Sequence, residues 1–174
     1  MTDGNDYVRL RETFNEDAEQ YDRARPRYPD QMFDDLAAAG VAPGARVLEI
    51  GCGTGQATVP LAKRGYRIVA VELGPDMAAV ARRNLAGFDS VEVLTAAFED
   101  WPLPAEPFDV VFSATAFHWV DPAVRVSKSA DALRPGGCSP PWEPTTSPVA
   151  ASGSSLRCRT VTSGSIRRPH PACA

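Results

Sequence analysis

Val47-Leu-Glu-Ile-Gly-Cys-Gly-Thr-Gly55 is the stretch whose reading decides the fold. An apolar, β-branched run from Arg46 to Ile50 reads as a strand. It breaks into three glycines at alternate positions, and Gln56 to Arg64 then reads as a helix closed by Gly65. Glycines in such a place turn the chain tightly and let a ligand touch backbone near a helix N-terminus. An ordinary strand–helix turn is the competing explanation, although one or two glycines would serve it. A dinucleotide-binding fingerprint needs its third glycine one residue later, where this chain carries Gln56. A nicotinamide-dependent oxidoreductase is therefore the weaker alternative.

Outward from the loop, strands and helices alternate. Arg67 to Val71 is a second short apolar strand with Glu72 at its end, and Pro75 opens a helix to Leu85 striped by Met77, Val80, Ala81 and Leu85. Val91–Leu94 and Phe108–Phe112 read as third and fourth strands, and Asp121-Pro122 begins a helix running to Leu133, stopped by Arg134-Pro-Gly-Gly137. Upstream, Asp30 to Ala39 reads as an amphipathic helix ended by Gly40, and Leu10 to Tyr21 as a further helix. Strands separated by helices of this length imply βαβ units and a parallel sheet. The near-continuous apolar strands imply burial on both faces. The fold class is thus α/β, a Rossmann-like parallel sheet with flanking helices.

Glu72 gives the loop a chemical direction. An acid ending the second strand lies beside the glycine turn and can accept both hydroxyls of a ribose, whereas alone it would be a solvated strand-end carboxylate. A nucleoside ligand is favoured, and the absence of a P-loop lysine argues against a nucleoside triphosphate.

These residues together resemble the class I S-adenosylmethionine-dependent methyltransferases. Val47 to Gly55 is similar to the first motif of that family and Ala96-Ala-Phe-Glu-Asp-Trp-Pro102 to the adenine-side motif. Pro107-Phe-Asp-Val-Val-Phe112 with Ala116-Phe-His-Trp119 resembles the fourth-strand motif, and Ala132 to Gly137 the turn before a fifth strand. Tyr21-Asp-x-x-Arg25-Pro-x-Tyr28-Pro29 resembles the leading segment of small-molecule members, of the type 11-like group related to trans-aconitate methyltransferase. The resemblance implies S-adenosyl-L-methionine as cofactor, transfer of its methyl group to a small-molecule oxygen (carboxylate or hydroxyl), and roles for residues. Gly51, Cys52, Gly53 and Gly55 would line the methionine end with Glu49 orienting it. Glu72 would bind ribose with Leu73 and Met77 beside the adenosine, and Ala97, Phe98 and Glu99 would flank the adenine. Family members often carry Asp at the position of Ala97, so backbone is expected to take that contact here.

Methyl transfer needs no protein nucleophile, and Cys52 reads as a small residue packed in a turn. His118, the single imidazole before the tail, is the candidate general base for a hydroxyl acceptor; otherwise it is a packed residue between Phe117 and Trp119. Tyr21, Arg25 and Tyr28, with Trp119, are candidates to close over cofactor and substrate, against a plain linker to the first helix. No metal-ligand spacing is present.

The chain has 174 residues, is 44% hydrophobic and 23% charged, and carries a net charge of −4, figures of one soluble globular domain. The acidic balance offers no footprint for nucleic acid, and no apolar run approaches the roughly 18 to 20 residues of a membrane span. The N-terminus MTDGNDYVRLRETFNEDAEQ is unlike a secretory signal, so a cytoplasmic location is expected. The averages conceal a seam: 17 of the 37 residues from 138 to 174 are Pro, Ser or Thr, and the charge is +3 there against −7 before it. We therefore expect a leading helical segment at 1–44, a cofactor-binding core at 45–137 and a disordered or frameshifted tail at 138–174. Strands 1–4 are expected, with strands 5–7 missing or replaced, since Cys138-Ser-Pro-Pro-Trp-Glu-Pro-Thr145 is no central strand. Regrouping each codon's last base with the next two permits an apolar run after Gly137 and forces a glycine at the Trp142-Glu143 junction. The fourth strand would otherwise be an apolar edge, folding weak, and the chain an inactive remnant that at most binds cofactor.

Overall fold

In the computed structural model, which describes residues 17–139, 159–162 and 165–166, the sheet grows on both sides of the glycine-ended strand. That strand, β1 (Arg46–Ile50), pairs in parallel with β2 (Arg67–Glu72) on one side and β4 (Phe108–Phe112) on the other; β3 (Val91–Thr95) extends the sheet in parallel beyond β2. Val47 stands opposite Ile68 and Val110, and Glu49 opposite Ala70 and Phe112. The strand order of 3-2-1-4 puts all four carboxyl ends at the rim where the glycine loop lies.

Period-two alternation divides the apolar residues between two cores. Val47, Ile68 and Val110 face Phe33, Leu36 and Leu61, whereas Leu48, Val71 and Val111 face Phe98, Phe117 and Leu133. On the first side α2 (Asp30–Ala38) covers the sheet with α3 (Thr58–Lys63), and α4 (Pro75–Asn84) follows β2. Gly40 and Gly65, at φ +89° and +82°, end α2 and α3 in the left-handed conformation that stops a helix. A shorter helix, α1 (Ala18–Ala24), is capped by Asp17, whose carboxylate accepts from the Gln20 amide.

Three expectations change. The helix after the loop starts at Thr58 rather than Gln56, because Gly53 and Gly55 hold left-handed φ values that keep the preceding residues out of the helix. The last helix, α5 (Arg125–Ala132), starts after Asp121-Pro122, which form a turn in which Asp121 Oδ1 accepts from the Ala123 amide. The third concerns the edge.

β4 is interior, because β5 (Leu133–Ser139) pairs with it in parallel, and β6 (Arg159–Thr162) and β7 (Ser165–Ile166) continue antiparallel. Arg134-Pro-Gly-Gly137 is part of that strand and makes it bulge. Leu133 stands opposite Phe108 and Cys138 opposite Val110, so β5 advances five residues while β4 advances two. Gly136 takes φ +80° to absorb the slack, and Arg134 pairs with Asp109 across the strands. Residues 140–158, most of the tail expected to be disordered, and 10–16 of the expected first helix, lie outside the described residues.

Candidate functional site

The glycine loop is a backbone surface held by a carboxylate. Gly51, Gly53 and Gly55 adopt φ of +69°, +58° and +91°. A Cβ on Gly51 would lie 2.4 Å from Ala116 Cβ, so only glycine lets this turn pass beneath the segment that follows β4. The Gly51 amide donates to Val71 O at 2.8 Å, tying the loop to β2. Glu72 then holds two loops at once: Oε2 accepts from the Gly53 amide at 2.8 Å and Oε1 from the Gly74 amide at 3.0 Å. Each oxygen keeps a further lone pair for a diol.

Glu49 is the buried charge of the site. It is 1% exposed, Oε2 has no hydrogen-bond partner, and the side chain lines a narrow cleft with Tyr21, Tyr28, Gly51, Gly53 and Gln56. Burial pushes its carboxyl up to about 7; Thr58 pulls the other way and the Glu72 charge adds to the rise. Cys52, also on the cleft wall, is 5% exposed, and burial beside Glu49 and Glu72 pushes its thiol well up, which disfavours the thiolate.

The leading segment lies across this cleft and is not a plain linker. Tyr21 Cε1 and Met77 Cε come within 3.8 and 3.6 Å of where a Gly53 Cβ would be. Gln56, standing where a dinucleotide fingerprint has glycine, donates from Nε2 to Asp22 O and Oδ1, both at 3.2 Å. Asn84 Nδ2 donates to the same Asp22 Oδ1 at 3.0 Å and to Thr54 O at 2.9 Å. Glu19 adds an ion pair to Arg83 at 2.6 Å. On the far side Arg25 Nη2 donates to Thr115 Oγ1 at 2.7 Å, Tyr28 Oη lies 2.8 Å from the same hydroxyl, and the Arg25 guanidinium sits 5.5 Å from the Tyr21 ring centroid.

The other expected contacts are divided. Leu73 and Ala97 are half-buried at the ends of β2 and β3, where the Ala96 amide donates to Glu72 O. Phe98 turns inward instead: it packs in the second core, with Lys128 Nζ 5.4 Å from its ring centroid, so its ring is spent on packing. Glu99 Oε1 accepts from the Asp121 amide at 3.0 Å and Glu99 O accepts from Lys128 Nζ, which holds the turn after β3 to α5 and the segment before it. His118 is exposed, in a 3-10 turn (Phe117–Trp119), its ring centroid 4.7 Å from that of Trp119. Burial of the ring's inner side and the Arg125 charge lower its pKa, favouring neutral imidazole. Neither His118 nor Trp119 lines the cleft.

Six residues escaped the sequence reading as contacts: Glu19, Asp22, Gln56, Arg83, Asn84 and Thr115. Asp22 lies inside the quoted Tyr21–Pro29 motif and Gln56 replaces an expected glycine, so both left a signal. Thr115 left none, since a backbone angle is not written in a residue type.

Residues 47–137 match the protein family described as Methyltransferase domain. An uncharacterized methyltransferase of Mycobacterium tuberculosis is 41% identical over 117 residues, covering 67% of this chain and 46% of that protein. The malonyl-[acyl-carrier protein] O-methyltransferase of Serratia marcescens is 32% identical over 141 residues, covering 79% of this chain and 54% of the relative. This chain thus spans about half the length of these relatives. Among solved structures, the CcbJ methyltransferase of Streptomyces caelestis superposes with a TM-score of 0.62 at 25% identity, over 74% of this chain and 56% of that one.

Proposed function

The chain belongs to the methyltransferase-domain family and has its class I fold, and from that premise we propose that it binds S-adenosylmethionine in the cleft beneath the leading segment and methylates an oxygen, carboxylate or hydroxyl, of a small molecule. The observation that carries this reading is Glu49: a buried carboxylate whose Oε2 has no partner faces the cleft, where a cationic ligand end would satisfy it. The glycines beside it leave backbone rather than side chains at the wall, so the residues present fit the cofactor's methionine end. When bound, the cofactor supplies an activated methyl group on sulfur, and the protein's task is alignment.

In this reading Glu49 accepts from the ammonium of the methionine end, and Gly51, Gly53 and Gly55, their amides already bonded within the fold, keep side chains out of its way. Glu72 keeps the loop shaped and offers its spare lone pairs to the ribose hydroxyls. Leu73, Met77 and Ala97 border the adenosine. Tyr21, Arg25 and Tyr28 exclude water and restrict the acceptor's approach, a positional effect that reaches roughly 7–11 kcal/mol in the best intramolecular cases. A carboxylate acceptor needs no base; His118, neutral but off the cleft wall, could take the proton only of a hydroxyl acceptor that reaches beyond that wall. The oxygen acceptor draws support from the name of the Serratia relative, an O-methyltransferase.

A second reading is cofactor binding without turnover, for which the exposed position of His118 off the cleft wall speaks. Calorimetry with S-adenosylhomocysteine and with NAD(H), followed by transfer of labelled methyl to a panel of small carboxylic acids and alcohols, separates the two. Heat with S-adenosylhomocysteine and label in an acceptor are expected. Heat without label leaves the binding reading, and heat with NAD(H) alone overturns both.

A further inference from the structure

Thr115 holds a conformation that its side chain disfavours. Its φ of +59° makes it the non-glycine residue in left-handed space among the described residues, and it is β-branched, the type that least tolerates that region. Both flanks pin it there. Ser113 Oγ donates to Ile50 O at 2.8 Å, and the Ala116 methyl occupies the place a Gly51 Cβ would need. The turn alone would be served better by glycine, so the threonine is disfavoured locally and its gain must lie in what the side chain does.

Donor and acceptor rules fix that role. Arg25 can only donate, so Thr115 Oγ1 accepts from Nη2 at 2.7 Å. Tyr28 Oη lies 3.2 Å from Ala114 O, which can only accept, so the Tyr28 proton goes there. Thr115 therefore gives its own proton to Tyr28 Oη across 2.8 Å. One hydroxyl accepts from one residue of the leading segment and donates to another. Through Arg25, stacked over Tyr21, the link reaches the side chain that lies on Gly53.

We propose that Thr115 is a positioning residue: its hydroxyl, presented by the left-handed backbone, latches Arg25 and Tyr28 across the mouth of the cleft and sets how long a ligand stays beneath the leading segment. The ligand half of this statement rests on the cofactor reading above; the latch itself does not.

Three variants of the full chain test it. T115V keeps shape and strain but loses the hydroxyl, T115S keeps the hydroxyl, and T115G relieves the strain without one. Amide hydrogen exchange over residues 18–28 is read without ligand, alongside melting temperature and the dissociation rate of S-adenosylhomocysteine. T115S should match the parent in exchange and dissociation. T115V should exchange roughly fivefold faster over 18–28, with β1 and β2 unchanged, and release the ligand faster by a similar factor, the loss expected for two partly exposed hydrogen bonds. T115G should melt above the parent and still exchange and release as fast as T115V, which a merely structural role would not produce. Parent-like exchange in T115V, or in T115G, overturns the latch. Absence of S-adenosylhomocysteine binding by the parent counts against the cofactor reading alone, because exchange still decides the latch.

Discussion

Replacing Gly51 by alanine separates the two reasons a glycine is needed in this loop. At φ +69° an added Cβ carries the left-handed cost of about 1–2 kcal/mol. It would also stand 2.4 Å from Ala116 Cβ, when carbon atoms pack at about 3.5–4.0 Å. Ala116 Cβ is fixed to backbone, so the turn after β4 must move; overpacking of this kind adds about 1–3 kcal/mol. The sum, about 2–5 kcal/mol, is a large part of a domain's usual 5–15. For a chain of this size each kcal/mol lowers the melting temperature by about 2–4 °C, so Gly51→Ala should melt about 10 °C below the parent. Two controls resolve the parts. Gly44 has φ +85° with nothing within 4 Å of an added Cβ, so Gly44→Ala carries strain alone and should lose about 4 °C. Gly87 has neither, so Gly87→Ala should be neutral or gain up to about 1 kcal/mol. Thermal melts by circular dichroism measure all three, and calorimetry should show S-adenosylhomocysteine affinity falling for Gly51→Ala only. If Gly51→Ala melts with Gly44→Ala, the Ala116 overlap is not a constraint and the account of this loop is wrong.

Glu49 has a folded-state carboxyl at about 7 against an ordinary 4.5, so its contribution is fully present below the ordinary value and is lost as pH rises through 7, on the order of 3 kcal/mol. Glu49→Gln should therefore gain on the parent from pH 5 to pH 8 in urea midpoints, while S-adenosylhomocysteine affinity of the parent weakens as pH falls below 7; parallel pH profiles of the two proteins would refute this. Glu72→Ala frees the Gly53 and Gly74 amides and removes the diol's acceptor, so ligand affinity should fall at least about tenfold, and Glu72→Gln, with one oxygen, should lie between; an unchanged dissociation constant would remove Glu72 from the site. Sequencing the gene across codons 135–145 should show that a one-base displacement gives an apolar strand-like run after Gly137; a prompt stop or a polar run in that frame excludes a frameshift.

The apolar strands were legible because each is a short run that burial on two faces demands, bounded by residues that cannot continue it. β1 and β4 begin and end where the sequence places them. Helix starts were less legible. Asp121-Pro122 reads as a cap, yet its carboxylate closes a turn four residues ahead of α5. β5 is hidden for a related reason: Pro and Gly mark both turns and bulges, and only the pairing of Leu133 with Phe108 and Cys138 with Val110 tells them apart. That strand alters the stability argument. With β4 interior, the uncovered apolar face anticipated there does not exist among the described residues, and the weak folding expected from it loses its cause.

The site divides along the same physical line. What the chain does with backbone, three alternate glycines and an acid at the end of the next strand, follows from residue types at fixed spacing, and the Glu72 bonds to Gly53 and Gly74 come from that spacing. What it does with side chains from distant segments does not. In the sequence Gln56 reads as a missing glycine; in the fold its amide grips Asp22 thirty-four positions upstream. The loop gave up the permissive residue there because a side chain could dock the leading segment, and Asn84 and Arg83 reinforce the same docking from α4. A departure from a fingerprint is thus a place to look for a compensating contact. Thr115 is the counterpart at the opposite rim, a residue poorly suited to its own backbone and well suited to two side chains ninety and eighty-seven positions away. Together the two attachments hold Tyr21 over Gly53. Cutting either one alone should loosen the leading segment less than cutting both, because each still limits the excursions of the seven-residue helix α1 tethered beside it.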